Sequence, residues 1–271
     1  MKKSYKKIII FELIVLLILL VNIFTNNVIN NFLVFLFLLS LIFIFKKIFG
    51  VEKESKRHTK ELIIELSIIY IIFFVIFYLF GLITGYYKNN NYINVYGITT
   101  FIIPTILIIV SKEYLRFLVH TKFEDSKVLY YLTFLMFVML DLVNIFKMSR
   151  FSSIQFPVIQ SVFYFIATSL LPIISNNIAA NNIIRKSSYK VNIFWLLILN
   201  LYVYILPIIP NIGDYILSII KIILPLIIYS RINYFYENEE DKEVEREYNK
   251  KTYLPYVISV FVTILLVYFS S

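Results

Sequence analysis

Long apolar runs, each 17 to 25 residues, constrain this chain more than any other feature. A helix crosses the hydrocarbon core of a bilayer with about 20 mostly apolar residues. It also satisfies its own backbone hydrogen bonds, which no lipid-exposed open strand or loop does. Nine such runs follow one another: Ile8–Phe24, Val28–Phe49, Leu62–Tyr86, Val95–Val119, Val128–Phe146, Pro157–Ile178, Val191–Ile209, Gly213–Ser230 and Leu254–Ser270. The prediction is an all-α, polytopic transmembrane helical bundle of about nine spans, forming one domain over residues 1–271. Composition agrees: 60% of residues are hydrophobic, against about 45–50% in soluble domains, and 16% are charged, against about 25%. Asn, Ile, Lys and Tyr richness points to an AT-rich bacterial genome, hence to a multi-pass protein of a bacterial plasma membrane.

Charge orients the runs. With the N terminus in the cytoplasm, the inner loops and the inner ends of the spans collect 22 basic residues and the outer loops only Lys88, Lys147 and Arg150. Lys221 falls inside a span. That asymmetry is the positive-inside pattern. It explains the net charge of +9 without nucleic acid, and it places the C terminus outside. The opening "MKKSYKKIIIFELIVLLILLVNIF" has the basic start of a signal peptide, but no small-residue cleavage site follows, so it reads as a retained first span.

Two runs carry irregularities. The sixth holds Pro172 in "SLLPIISNN", and the second follows the tight polar turn "TNNVINN", which suits a hairpin of spans. "YILPIIPNIGDY" reads as a tight outer corner, with Asp214 at the start of a helix where its dipole favours a carboxylate. Residues 234–253, "YFYENEEDKEVEREYNKKTY", are the one sizeable hydrophilic stretch. They read as a charged cytoplasmic linker before the last span, in which Glu243 with Arg246 and Glu247 with Lys250 have helical spacing. No internal repeat stands out.

Ionisable groups inside spans are costly and single themselves out. Glu12, Glu65, Glu113 and Arg116 lie near the cytoplasmic ends of their spans, where side chains reach water or pair with one another. In "SKEYLRF", Glu113 and Arg116 are three residues apart on one helix face and read as an ion pair. Asp141 lies about 20 Å, and Lys221 about 14 Å, from the inner ends of their spans at about 1.5 Å per residue. An Asp141–Lys221 pair joining two helices follows as the expectation, with a proton or ion relay as its functional version.

Several chemistries lack their residues. There is no cysteine, which removes disulfides and thiolate metal sites. The two histidines, His58 and His120, lie in or beside basic loops, and no HExxH is present. "EYLRFLVH" shares residue types with CAAX-protease-like membrane proteins, but the paired glutamates and second histidine are missing. Rhomboid GxSG, a Walker lysine and a facing pair of embedded aspartates are missing too. No catalytic, metal or cofactor site is therefore expected. The abundant Tyr and Phe follow the spans as core, lipid-facing and interfacial residues.

Three stretches carry a family resemblance: "SKEYLRFLVHTK" closing a span, the "LPIIPNIGDY" corner, and the charged stretch leading into "YLPYVISVFVTILLVYFSS". Together they resemble the multi-span N-terminal region of signal peptidase I-like proteins, of the archaeal and endoplasmic-reticulum type, in low-GC Gram-positive bacteria. In that family the last span delivers the chain to the outer face, where a Ser-Met motif supplies the nucleophile. This chain has no Ser-Met motif and no β-rich domain, so the nucleophile transfers to neither Ser270 nor Ser271. The resemblance implies a truncated, non-catalytic anchoring domain. Its partners would be the bilayer and signal-peptide-bearing preproteins. Two other readings compete: a small-molecule or lipid/glycan transporter with Asp141 and Lys221 in its pathway, and a non-catalytic subunit whose partner binds 234–253.

Overall fold

The computed structural model describes residues 2–24, 31–51, 58–89, 95–122, 126–148 and 158–240. Within them the chain is all-α apart from one pair of three-residue strands. The helices are α1 (Lys2–Phe24), α2 (Asn31–Phe49), α3 (Thr59–Thr84), α4 (95–120), α5 (Lys127–Met148), α6 (158–186), α7 (Tyr189–Ile205) and α8 (Asp214–Glu240). Two of them are interrupted. α4 contains a π-helical turn at Ile98–Ile102, and α6 contains one at Ile166–Leu170, with right-handed helical backbone on both sides. Among the described residues, four helical stretches are long and apolar enough to cross a membrane, rather than the full set predicted: Asn31–Phe49, Thr59–Thr84, Val162–Lys186 and Asp214–Tyr236.

Among the described residues, a helix covers each of the first eight predicted runs, with shifted ends. The predicted ninth run, 254–270, lies outside the described residues, as do 241–253 of the linker with Glu243, Arg246, Glu247 and Lys250. The linker's first residues, 234–240, continue α8 rather than leaving it. The sixth run, with Pro172 inside it and polar residues at its end, carries on as helix to Lys186, and Asn177 finds partners inside the bundle in Arg116 and the Ile173 carbonyl.

The ends predicted for the third and seventh runs are corrected. α3 stops at Thr84, and Tyr86–Lys88 forms strand β1; α7 stops at Ile205, and Ile208–Pro210 forms β2. Pro207 and Pro210 lack the N–H that a helix needs, which frees this stretch to extend. The strands pair antiparallel, Tyr86 opposite Pro210 and Lys88 opposite Ile208. Gly85 permits the turn, at φ 82° and ψ 179°, a region glycine alone occupies readily. Tyr86 folds back over Gly81, where a Cβ would lie 2.2 Å from its ring. Asn89 clasps the corner, its side-chain amide donating to the carbonyls of Val203 (2.6 Å) and Leu206 (2.8 Å).

α4 is the hub. It packs on α2, α5, α6 and α7, while α1 packs on α5, α3 on α7, and α6 on α8. One apolar core gathers α1, α2, α4 and α5 around Leu38, Phe45, Leu115 and Phe137. A second gathers α3, α6, α7 and α8 around Leu66, Ile183, Trp195 and Ile228. Full burial of such side chains contributes about 1.5–3 kcal/mol each in water. Between lipid-exposed helices that gain vanishes, and packing and polar contacts take over.

Candidate functional site

The two cores meet along the last three turns of α4, "SKEYLRFLVH". Nine of these ten residues are buried, although the stretch is among the most polar of any helix. Such burial requires that neighbours supply partners for Lys112, Glu113 and Arg116.

They do. The Glu113 carboxylate is fully buried and lies 3.0 Å from Arg116 Nε, one turn along the same helix. It also accepts from Asn192 Nδ2 of α7 at 2.9 Å, with Lys112 Nζ 3.8 Å away. The Arg116 guanidinium reaches α6, donating from Nη2 to Asn177 Oδ1 (2.6 Å) and from Nη1 to Asn181 Oδ1. Its face lies over the Phe137 ring of α5, 4.2 Å from the centroid, a cation–π contact. Lys112 Nζ donates to both oxygens of Asp141 on α5, at 2.8 and 3.1 Å. Asn177 Nδ2 closes the circuit by donating to Asp141 Oδ2 at 2.9 Å. Trp195 Nε1 donates to Asn192 Oδ1 (3.0 Å), and the Trp195 carbonyl accepts from Tyr70 of α3 (2.8 Å).

Two cations and two carboxylates balance to zero, and each charge has an opposite charge within about 3 Å. Buried pairs persist with such geometry; within the cluster, Arg116 Nε makes an ion-pair contact but no hydrogen bond, and Asn181 Nδ2 is buried without a hydrogen-bond partner. Chemically the arrangement is a clamp: its charges are already met, and its contacts join α4 to α5, α6 and α7.

Of the four residues singled out in the sequence, Glu113, Arg116 and Asp141 come together here, and the expected Glu113–Arg116 pair is present. Lys221 does not join them. The expected Asp141–Lys221 pair is corrected: Asp141 is held by Lys112 and Asn177, because α4 and α6 flank α5. Lys221 lies on α8, two turns from Asp214 on its own helix. Lys112 counts in the sequence as an inner-loop cation, and Asn177, Asn181 and Asn192 were not singled out there. Their spacing was the available signal, since Asn177 and Asn181 are four apart on one helix face.

Further polar contacts lie toward the same, basic end of the bundle, where α1, α3, α5 and α7 begin. Thr133 Oγ1 of α5 donates to the fully buried Glu12 of α1. Arg231 Nε of α8 donates to Glu65 of α3 at 2.5 Å, and Asn182 Nδ2 bonds Asn233 at 2.8 Å. Glu12 and Glu65 were expected to reach water or to pair near a span end; Glu65 pairs with Arg231, Glu12 accepts from Thr133, and each contact joins two helices.

Among the described residues, no group of three His, Cys, Asp or Glu side chains is placed to hold a metal ion. No protein-family model matches this chain, and neither does any curated protein or solved structure.

Proposed function

We propose that this chain is the membrane domain of a signal peptidase I-like serine protease, a nine-span scaffold in a bacterial plasma membrane that is not itself catalytic. Its N terminus lies in the cytoplasm, and its ninth span, 254–270, returns the chain to the outer face. The observation that supports this reading is the role of "SKEYLRFLVHTK". The segment that carries the resemblance is also the segment that holds four helices in register through Lys112, Glu113 and Arg116. Each charge here meets an opposite charge, and Glu113 with Arg116 is fully enclosed, which supports a scaffold.

In that role the bundle anchors a peptidase at the outer membrane face and receives the signal helices of preproteins. The chemistry, serine attack on a carbonyl assisted by a Lys or His base, belongs to a domain that would follow the ninth span. Nine spans exceed what anchoring alone requires, which motivates the receiving role.

Reading the coding DNA past codon 271 tests the assignment. An open frame into a Ser-Met motif and a β-rich domain supports it, and a stop codon directly after Ser271 refutes it. Replacing residues 1–253 with a lone span tests the receiving role. Preprotein cleavage in cells is expected to fall; cleavage at the native rate would leave anchoring as the only role.

A further inference from the structure

α4 and α6 carry the same short pattern, Tyr-x3-Thr-x3-Pro. It reads "YGITTFIIP" at Tyr96–Pro104 and "YFIATSLLP" at Tyr164–Pro172. No repeat was expected from the sequence, because four identities in nine residues are lost among so many apolar positions. The backbone makes it visible. In both stretches a five-residue π-helical turn begins two residues after the tyrosine, and the α-helix resumes with proline in its second position. In both, the threonine hydroxyl donates to the tyrosine carbonyl four residues back, at 2.5 Å for Thr100 and 2.8 Å for Thr168.

Each part has a physical cause. Proline supplies no N–H and crowds the preceding turn, so the ladder loses a bond there. The widened π turn absorbs the crowding. The threonine back-bond competes for a carbonyl and bends the helix further. The two breaks also lie at similar depth. Pro104 is about 24 Å and Pro172 about 21 Å from the basic ends of their helices, at about 1.5 Å per residue.

Packing changes at Pro172 in α6 and five residues beyond Pro104, at Ile109, in α4. In α4, no residue from Ile98 to Ile108 is buried, whereas burial is nearly continuous from Ser111 to His120. In α6, none from Val162 to Leu171 is buried, whereas Pro172 and Ile173 are. The basic-end halves belong to the clamp. The other halves lean on neighbours through contacts such as the Phe101–Tyr204 ring stack (5.6 Å) and the Tyr164 hydroxyl donating to Asp214 (2.8 Å). Beside them, α3, α7 and the β1–β2 pair form a cross-bonded corner.

From this we infer that the strand-end halves of α4 and α6 are a matched pair of hinged segments, pivoting at the Pro104 and Pro172 breaks on halves that the clamp holds still. The pair changes the opening of the bundle at the strand end while the basic end keeps its shape. This goes beyond the scaffold reading and does not depend on a peptidase domain. Pivoting of helical segments of this size belongs to the microsecond–millisecond range.

The chain has no cysteine, so paired spin labels report without background. One pair is Tyr96→Cys with Phe163→Cys, both well exposed on the strand-end halves. The reference pair is Lys127→Cys with Lys190→Cys at the basic end. Pulsed dipolar distances in lipid nanodiscs should be broad or two-peaked for the first pair and narrow for the second. Adding Pro104→Ala and Pro172→Ala should narrow the first pair to the width of the second. A first pair as narrow as the reference in the chain with both prolines overturns the inference. So does a folded double-alanine chain whose first pair stays broad. The comparison of the two pairs needs no proline variant, so misfolding of that variant leaves the test intact.

Discussion

Replacing Arg116 with leucine removes the central member of the clamp. Leucine fills much of the volume, so the dominant loss is electrostatic. Glu113, fully buried, would lose the cation 3.0 Å away, and the Asn177 and Asn181 oxygens would lose their donors. Hydrogen bonds between membrane helices average only about 0.6 kcal/mol, so the two asparagine bonds contribute little. Breaking a buried ion pair from one side costs about 3–5 kcal/mol. Lys112 stands 3.8 Å from Glu113, and Asn192 still donates to it, which places the expected loss at the low end, about 3 kcal/mol. The assay is reversible unfolding in mixed micelles, followed by helical circular dichroism and Trp195 fluorescence. The double variant Glu113→Leu with Arg116→Leu strands no carboxylate at that position. It should be more stable than the two single losses predict, by about 1.5 kcal/mol or more. Two results would refute the clamp: Arg116→Leu within about 0.6 kcal/mol of the parent, or a double variant whose loss equals the sum of the singles.

Other positions give independent checks. Asp141→Asn should destabilise by about 1–3 kcal/mol and Lys112→Met by a similar amount, with partial recovery when both are combined; a stable, fully folded Asp141→Asn chain would favour a relay at this site. Gly85→Ala should cost about 1–3 kcal/mol through backbone strain alone, since no atom lies within 4 Å of the added Cβ; unchanged thermal unfolding would contradict the corner geometry. Glu12→Gln keeps an acceptor for Thr133 and should be nearly neutral, whereas Thr133→Val leaves the Glu12 carboxyl buried without its donor and should cost about 1–3 kcal/mol. Equal stability of these two variants would rule out the α1–α5 contact.

The positions of the first eight helices were legible in the apolar runs, whereas the span count was not: among the described residues four helical stretches are long and apolar enough to cross a membrane. The Glu113–Arg116 pair was legible because its partners are local, three residues apart on one helix. Partners of Asp141 were not, since they depend on which helices are neighbours in the plane, and periodicity along one chain carries no such information. Asn177, Asn181 and Asn192 were overlooked for the same reason: an asparagine in an apolar run acquires meaning only when a charge faces it. The β1–β2 pair was hidden because "YYK" and "IIP" extend helical-looking runs, and only the prolines beside them hint at a stop. The paired π turns were obscured by composition, since Tyr, Thr and Ile recur throughout.

The local Glu113–Arg116 pair has a consequence for biogenesis. In the proposed nine-span topology α4 is made and inserted before α6 and α7, so Asn177, Asn181 and Asn192 do not yet exist when the "KEYLR" stretch reaches the membrane. A lone buried charge at that stage would carry a cost of about 2.5–3.5 kcal/mol on insertion scales. Glu113 and Arg116 enter as a self-neutralised unit, with Lys112 meeting Asp141 as soon as α5 follows. Exchanging the pair for two charges that can meet only across helices would leave the finished bundle balanced but its insertion stalled at the fourth helix. In that topology the local spacing serves assembly order as well as the folded state.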